Sequence, residues 1–182
     1  MLNLICSWKN QHQLTISPRL SFKTADKSFC ADTSFILKLL VAESVSVSAA
    51  SLYRHLNCPR LPFTLMHRME VESALSQKAF IARQNGAKKE MIRREKERAT
   101  AKLETWLRKS LLAETEINWT DCFDQTLQFI PSQSEKLGYG TLDLIHISIA
   151  ICHQAELFVT CDERQAKAAK AEGLKTELLK AA

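Results

Sequence analysis

The sequence predicts an α/β protein, in which helices cover both faces of a central, mainly parallel sheet. Short apolar runs such as residues 157–160 alternate along the chain with longer segments whose apolar residues recur at helical spacing. The chain has 182 residues, of which 46% are hydrophobic and 25% charged, and these are ordinary values for one compact domain. Four Gly and four Pro exclude collagen-like and Pro-rich architectures, and no apolar run approaches the ~20 residues of a membrane-spanning helix.

The first half of the chain is predicted to begin with an extension and then to alternate strands and helices. Residues 1–27 show no clear period, so we expect an extension that is a candidate for disorder, followed by one domain over residues 28–182. Local apolar pattern and turn residues first predict a strand over 28–31 and a helix over 35–42 that is capped by Asp32, Thr33 or Ser34. After these come a weaker helix over 46–55, a loop between Pro59 and Pro62, a strand over 63–66 and a helix over 68–84.

The second half is predicted from the same signals. A stripe of apolar residues from Ile92 to Leu107 indicates a long helix over 88–109. The remaining predicted elements are a helix over 121–129 that Pro131 bends or restarts as far as Leu137, a glycine turn, a helix from Thr141 to about Gln154, a strand over 157–160, a helix over 163–172 and a last strand over 174–178.

The positive charge is unevenly distributed. The net charge is +5, yet residues 88–109 alone contain nine basic and four acidic side chains, and residues 1–25 contain three basic and none acidic. The rest of the chain is therefore mildly acidic. This pattern suits an acidic metal pocket beside a phosphate-attracting ridge, and it is equally compatible with a solvated helix of mixed charge. Because no glycine-rich phosphate loop is present, a P-loop or dinucleotide-binding enzyme is not indicated.

Four acidic residues occupy corresponding positions at the ends of predicted elements. Asp32 and Asp162 directly follow strands, whereas Glu70 and Asp143 lie near the starts of helices. In a right-handed parallel fold these positions share the carboxyl edge of the sheet, so we expect the four side chains to converge. Clustered carboxylates repel unless a divalent cation neutralises them, and Mg²⁺ or Mn²⁺ would suit the oxygen ligands. Taken singly, an Asp after a strand is also an ordinary helix cap.

Several sequence blocks resemble the PIN domain, specifically the VapC-type toxins of bacterial toxin–antitoxin systems. The resemblance spans about residues 28–178, in the order and spacing of that family. The blocks that carry it are Asp32-Thr33-Ser34, the run from Leu61 to Glu70 leading into Glu72-Ser73-Ala74-Leu75, the run from Gly140 to His146, and the run from Phe158 to Gln165.

The resemblance implies a Rossmann-like α/β/α sandwich and a metal-dependent endoribonuclease, the toxin of a type II toxin–antitoxin pair. By that resemblance Mg²⁺ or Mn²⁺ would be held at Asp32, Glu70, Asp143 and Asp162, and a bound water would attack an RNA phosphodiester. Asp32 and Asp143 would be central ligands, and Glu70 and Asp162 would ligate directly or hold metal-bound water. It further implies RNA as substrate, a cognate antitoxin and a possible homodimer. The apolar runs predict no membrane association, and the few cysteines without a preceding signal peptide indicate reduced thiols and a cytoplasmic location.

The sequence leaves several supporting roles and two rival functions open. Thr33 or Thr160 could orient a ligand or water. His146 shares a helix face with Asp143 and either contacts the site or packs in the core, and the same alternatives hold for His67. Arg164 and Gln165 either contact RNA phosphate or simply lie on the surface of their helix. Glu72 competes with Glu70 for the pocket, and the place of Glu70 in its block favours Glu70. The rival functions are a PIN-fold binding module without catalysis and a metal-dependent phosphoesterase acting on other substrates.

Overall fold

The computed structural model describes residues 28–43 and 45–180, so the predicted extension over residues 1–27 lies outside the described residues. Three parallel strands form the central sheet, in the order β1, β4, β5. A second parallel pair, β2 and β3, lies beside β1. The strands are β1 Phe29–Ala31, β2 Leu61–Phe63, β3 Leu112–Glu114, β4 Leu157–Thr160 and β5 Thr176–Leu178.

Helices surround the strands on both sides. None of the helices in the described part of the chain combines the length and the apolar character that crossing a lipid bilayer requires. In chain order the helices are α1 Thr33–Leu40, α2 Ser46–His55, α3 Leu65–Gln84, α4 Lys89–Arg108, α5 Trp119–Leu137, α6 Thr141–Cys152 and α7 Glu163–Ala171.

Alternating side chains of β1 and β4 build two separate cores. Ala31 and Val159 point to one face, where they join the buried side chains of α1, α3 and α4. Cys30 and Phe158 point to the other face, where they meet α5, α6 and α7. Each fully buried aliphatic or aromatic side chain contributes roughly 1.5–3 kcal/mol through its removal from water. The α/β class and the three-layer arrangement predicted from the sequence are thus confirmed.

The second strand was predicted two residues too late. It covers Leu61–Phe63 and includes Pro62, and α3 begins directly afterwards behind its cap residue Thr64. Leu61 donates its N–H to the Leu111 carbonyl on the β3 side. Backbone N–H groups alternate in direction along a strand, so the N–H that Pro62 lacks belongs to the side away from β3, and the proline is tolerated.

Two further differences concern β3 and α5. The strand Leu112–Glu114 was not predicted, because three residues are too few to show a period. Helix α5 runs without a break through Pro131, where the sequence suggested a bend or restart. Pro131 and Leu127, the residue whose carbonyl loses its helical partner, are both exposed, so that carbonyl can reach water instead.

Candidate metal centre

Asp32 is a buried carboxylate held by an array of donors. Its Oδ1 caps α1 by accepting from the Phe35 N–H at 2.9 Å, and both its oxygens lie within 2.8 Å of the Ser34 hydroxyl. The Thr160 hydroxyl donates to Oδ2 at 2.7 Å. Only 3% of the residue is exposed, and this burial raises the pKa of Asp32. The hydrogen bond from the Phe35 N–H lowers the pKa but offsets the rise only in part. The local hydrogen bonds therefore do not fully compensate its charge, and a nearby cation would.

Parallel pairing explains why Asp32 meets Thr160. Ala31 is in register with Val159, and the Asp32 N–H continues the ladder by donating to the Val159 carbonyl at 3.0 Å. The residues that follow β1 and β4 are therefore brought to one edge of the sheet although they lie far apart in the sequence.

Glu70 reaches the same edge from the second turn of α3. Its Oε2 lies 2.5 Å from His146 Nε2 and also accepts a hydrogen bond from the Thr33 hydroxyl. Burial opposes ionisation of Glu70, but the hydrogen bonds from His146 and Thr33 prevail and its pKa is lowered overall. Glu72 follows two positions later, about 200° around the helix, and so projects in another direction. Of the two glutamates weighed from the sequence, Glu70 is the one that contacts His146 and Thr33.

Asp143 and Asp162 form an electrostatically strained pair. Asp143 lies in the first turn of α6, and its Oδ2 is 3.4 Å from the place that a side chain on Gly140 would occupy. Asp162 caps α7 by accepting from the Arg164 N–H at 2.7 Å and the Gln165 N–H at 3.2 Å. Burial and the charge of Asp162 raise the pKa of Asp143. A divalent cation between the two side chains would relieve this repulsion.

Thr160 and Gln165 connect these acids to Asp32. The Thr160 hydroxyl donates to Asp32 and accepts from the Asp162 N–H at 2.9 Å. The buried Gln165 side chain contacts that hydroxyl at 3.1 Å and points its Nε2 to the Asp143 carbonyl at 3.4 Å. The sequence singled out Thr160 as a supporting residue but treated Gln165 only as an RNA contact or a surface residue. No sequence signal marks its linking role, because that role depends on the packing of α7 against α6.

The four acids share one edge of the sheet, but they do not form a closed ligand shell. Across residues 28–43 and 45–180, no three His, Cys, Asp or Glu side chains are placed to hold one metal ion. Asp32, Glu70 and Asp162 each direct oxygens to protein donors instead. The donor set nevertheless fits a hard cation, since it consists of carboxylates, one of them fully buried and two of them in mutual repulsion.

Arg164 and His67 have structural contacts. The Arg164 guanidinium donates to the Gly138 carbonyl at 2.5 Å and lies over the Tyr139 ring, so it ties α7 to the turn before α6. His67 Nε2 lies 3.0 Å from the Ala31 carbonyl, and burial lowers the pKa of His67 to about 3, so this imidazole is neutral. His67 is therefore a core histidine, one of the two alternatives considered from the sequence.

The first part of the basic helix α4 packs near the end of α1 that lies opposite Asp32. Basic residues of α4, including Arg94 and Arg98, line a groove of about 680 Å³ together with Leu40 and Val41 at the C-terminal end of α1. Asp32 lies at the opposite end of α1, and eight helical residues span about 12 Å. The basic residues of this part of α4 therefore lie about one helix length from Asp32, and a phosphate-attracting ridge next to the acidic pocket stays a prediction.

Comparison with protein-family models matches the PIN domain over residues 29–171, which is most of the chain and includes all four acids. No curated protein matches the sequence. PIN domains have a nuclease-type fold, generally act as nucleases on nucleic acids and typically use divalent metals. The matched segment contains β1, β4 and the helices that place Glu70 and Asp143, so the family match covers the same elements that form this edge of the sheet. The chain belongs to the PIN domain family.

Proposed function

We propose that this protein is an endoribonuclease that depends on Mg²⁺ or Mn²⁺ and serves as the toxin of a type II toxin–antitoxin system. The observation that carries the proposal is that Asp32, Glu70, Asp143 and Asp162 lie along the carboxyl edge of β1 and β4, where Glu70 accepts from Thr33 next to Asp32 and the charge of Asp162 repels that of Asp143. Buried, mutually repelling carboxylates are costly to a fold, and a divalent cation offsets this cost. The PIN family match supports nuclease chemistry at this edge.

In the proposed site Asp32 and Asp143 are the central ligands. Glu70 and Asp162 ligate directly or hold water at the rim, while Thr33 and Thr160 orient the carboxylates that they contact. The ion, when bound, would supply charge stabilisation for the phosphodiester and lower the pKa of water. The side chains contribute orientation: Thr160 keeps Oδ2 of Asp32 in place.

The toxin role rests on the sequence blocks that resemble VapC-type toxins. In this role the protein would cleave RNA in the cytoplasm and would bind a cognate antitoxin as its protein partner. Induced expression in bacteria should arrest growth, and the Asp143→Asn variant should not. Growth arrest that persists in this variant would separate toxicity from the proposed chemistry.

A cleavage assay tests the enzyme directly. Purified protein is incubated with a panel of RNAs and with a chromogenic phosphomonoester, in EDTA and after addition of Mg²⁺ or Mn²⁺. We expect metal-dependent cleavage of RNA only, and a loss of about 100-fold or more in Asp143→Asn, which corresponds to ~2.7 kcal/mol of transition-state stabilisation. Asp124→Asn on the exposed surface of α5 is the matched control and should behave as wild type.

Three results would contradict the proposal. Undiminished RNA cleavage in EDTA would remove the metal from the mechanism. Equal cleavage by Asp143→Asn and Asp124→Asn would remove the acid cluster. Turnover of the phosphomonoester in place of RNA would favour the phosphoesterase alternative.

A further inference from the structure

We infer that His146 is a positioning residue that holds the Glu70 carboxylate ready for metal binding, an inference that rests on the proposed function. His146 Nε2 lies 2.5 Å from Glu70 Oε2. An ionised carboxylate only accepts hydrogen bonds, so Nε2 carries the proton that is donated to it. The His146 side chain is 4% exposed and that of Glu70 24%, so the donor is buried while the acid reaches the surface.

A second donor acts on the same oxygen. The Thr33 hydroxyl also donates to Glu70 Oε2, and it lies 3.5 Å from His146 Nε2. Among the hydrogen bonds of the described residues, those made by the Glu70 carboxylate all involve Oε2. Oε1 is thereby left for an external ligand. Glutamate has three rotatable side-chain bonds, and the two donors select one arrangement before any cation arrives.

The His146 ring is itself fixed from behind. The His67 ring lies against it, with centroids 4.9 Å apart and planes inclined by 56°. His67 is in turn held between the Ala31 carbonyl and Thr64, whose N–H donates to His67 Nδ1 at 3.1 Å. The end of β1, the start of α3 and α6 thus form one continuous set of contacts that ends at the Glu70 carboxylate.

His146 lies one helical turn after Asp143, so α6 has two functions at the site. It presents one acid directly and supports a second acid that belongs to α3. Partners that orient a metal ligand typically change metal affinity by 10- to 100-fold when they are removed. Loss of His146 should therefore weaken metal binding through Glu70, with a smaller change in cleavage at saturating metal.

The test compares variants by Mn²⁺ calorimetry and by RNA cleavage at increasing Mn²⁺. His146→Leu should raise the Kd for Mn²⁺ and the half-saturating concentration about 10-fold or more. His146→Gln, whose amide can still donate to Oε2, should remain within about 3-fold of wild type. His67→Leu removes the second buried imidazole without touching Glu70 and should have a clearly smaller effect on the Kd than His146→Leu.

A double-mutant cycle separates positioning from general damage to the fold. In a Glu70→Gln background, His146→Leu should cause no further loss of Mn²⁺ affinity, because its target has already been removed. If the leucine variant fails to fold, His146→Asn takes its place, since its shorter amide does not reach Oε2. Multiplicative effects in the cycle would overturn the inference.

The inference and the proposed function fail in different ways. A wild-type protein that cleaves RNA with metal while His146→Leu and His146→Asn keep the same metal dependence would overturn the positioning role alone. A wild-type protein that neither binds Mn²⁺ nor cleaves RNA would overturn both.

Discussion

Replacing Asp32 by Asn and, separately, by Ala distinguishes the charge of this residue from its hydrogen bonds. Asn keeps an oxygen that can cap the Phe35 N–H and removes a charge that burial disfavours. Ala removes both the charge and every acceptor. If Asp32 is a metal ligand, both variants should lose cleavage, whereas only Ala should lose stability.

The contacts of Asp32 set the size of the stability change. Loss of a helix cap costs about 1 kcal/mol, and buried donors left without an acceptor cost about 1–3 kcal/mol. The donors concerned are the Phe35 N–H and the hydroxyls of Ser34 and Thr160. We therefore expect Asp32→Ala to lose about 2–4 kcal/mol, or roughly 5–15 °C in Tm for a chain of this length. Asp32→Asn should stay within about 1 kcal/mol of wild type, since relief of charge burial offsets the changed hydrogen bonds.

Thermal unfolding in EDTA measures the stabilities, and RNA cleavage with excess Mg²⁺ measures activity. Both variants should be at least about 100-fold slower than wild type, or ~2.7 kcal/mol in activation free energy. Full activity in Asp32→Asn would refute the role of the charge. An Asp32→Ala protein as stable as wild type would refute the hydrogen-bond network.

Three further outcomes are expected. Burial and the charge of Asp162 raise the pKa of Asp143. In EDTA, the stability that this group contributes is therefore complete below the ordinary Asp pKa of about 4 and is lost as pH rises through the raised pKa. Asp143→Asn should flatten that decline in thermal unfolding between about pH 4 and 8. Glu70→Gln should reduce cleavage at least about 10-fold, whereas Glu72→Gln on the same helix should leave it unchanged in the same assay. Leu103→Ala should lower the unfolding free energy by about 2–5 kcal/mol in urea titrations, because Leu103 is fully buried between α4 and the sheet.

A specific result would contradict each of these three expectations. An Asp143→Asn protein with the pH dependence of wild type would show that this carboxyl is not strained. Equal losses in the two glutamine variants would mean that contact with His146 does not decide which glutamate acts. A Leu103→Ala protein of unchanged stability would contradict the packing of α4.

The local elements followed from the sequence where the pattern was long or strongly apolar. The bounds of α2 and β4 agree with the predicted ranges, and the Asp32 cap of α1 was among the predicted caps. Strands β2 and β3 were misplaced or missed, because each is three residues long and is stabilised by its partner. The hydrogen bond from Leu61 to Leu111 joins positions that no local period relates.

The sequence alone predicted that Asp32, Glu70, Asp143 and Asp162 lie at one edge, because a parallel sheet with right-handed crossovers places strand ends and helix starts together. That these acids hold a metal ion stays a prediction. Only the tertiary structure joined Glu70 to His146 across 76 positions and to Thr33, and linked Asp32 to Thr160. The physical reason is that packing across the whole core sets how α3 and α6 are rotated against β1. Each local segment of sequence contributes only a part of that packing.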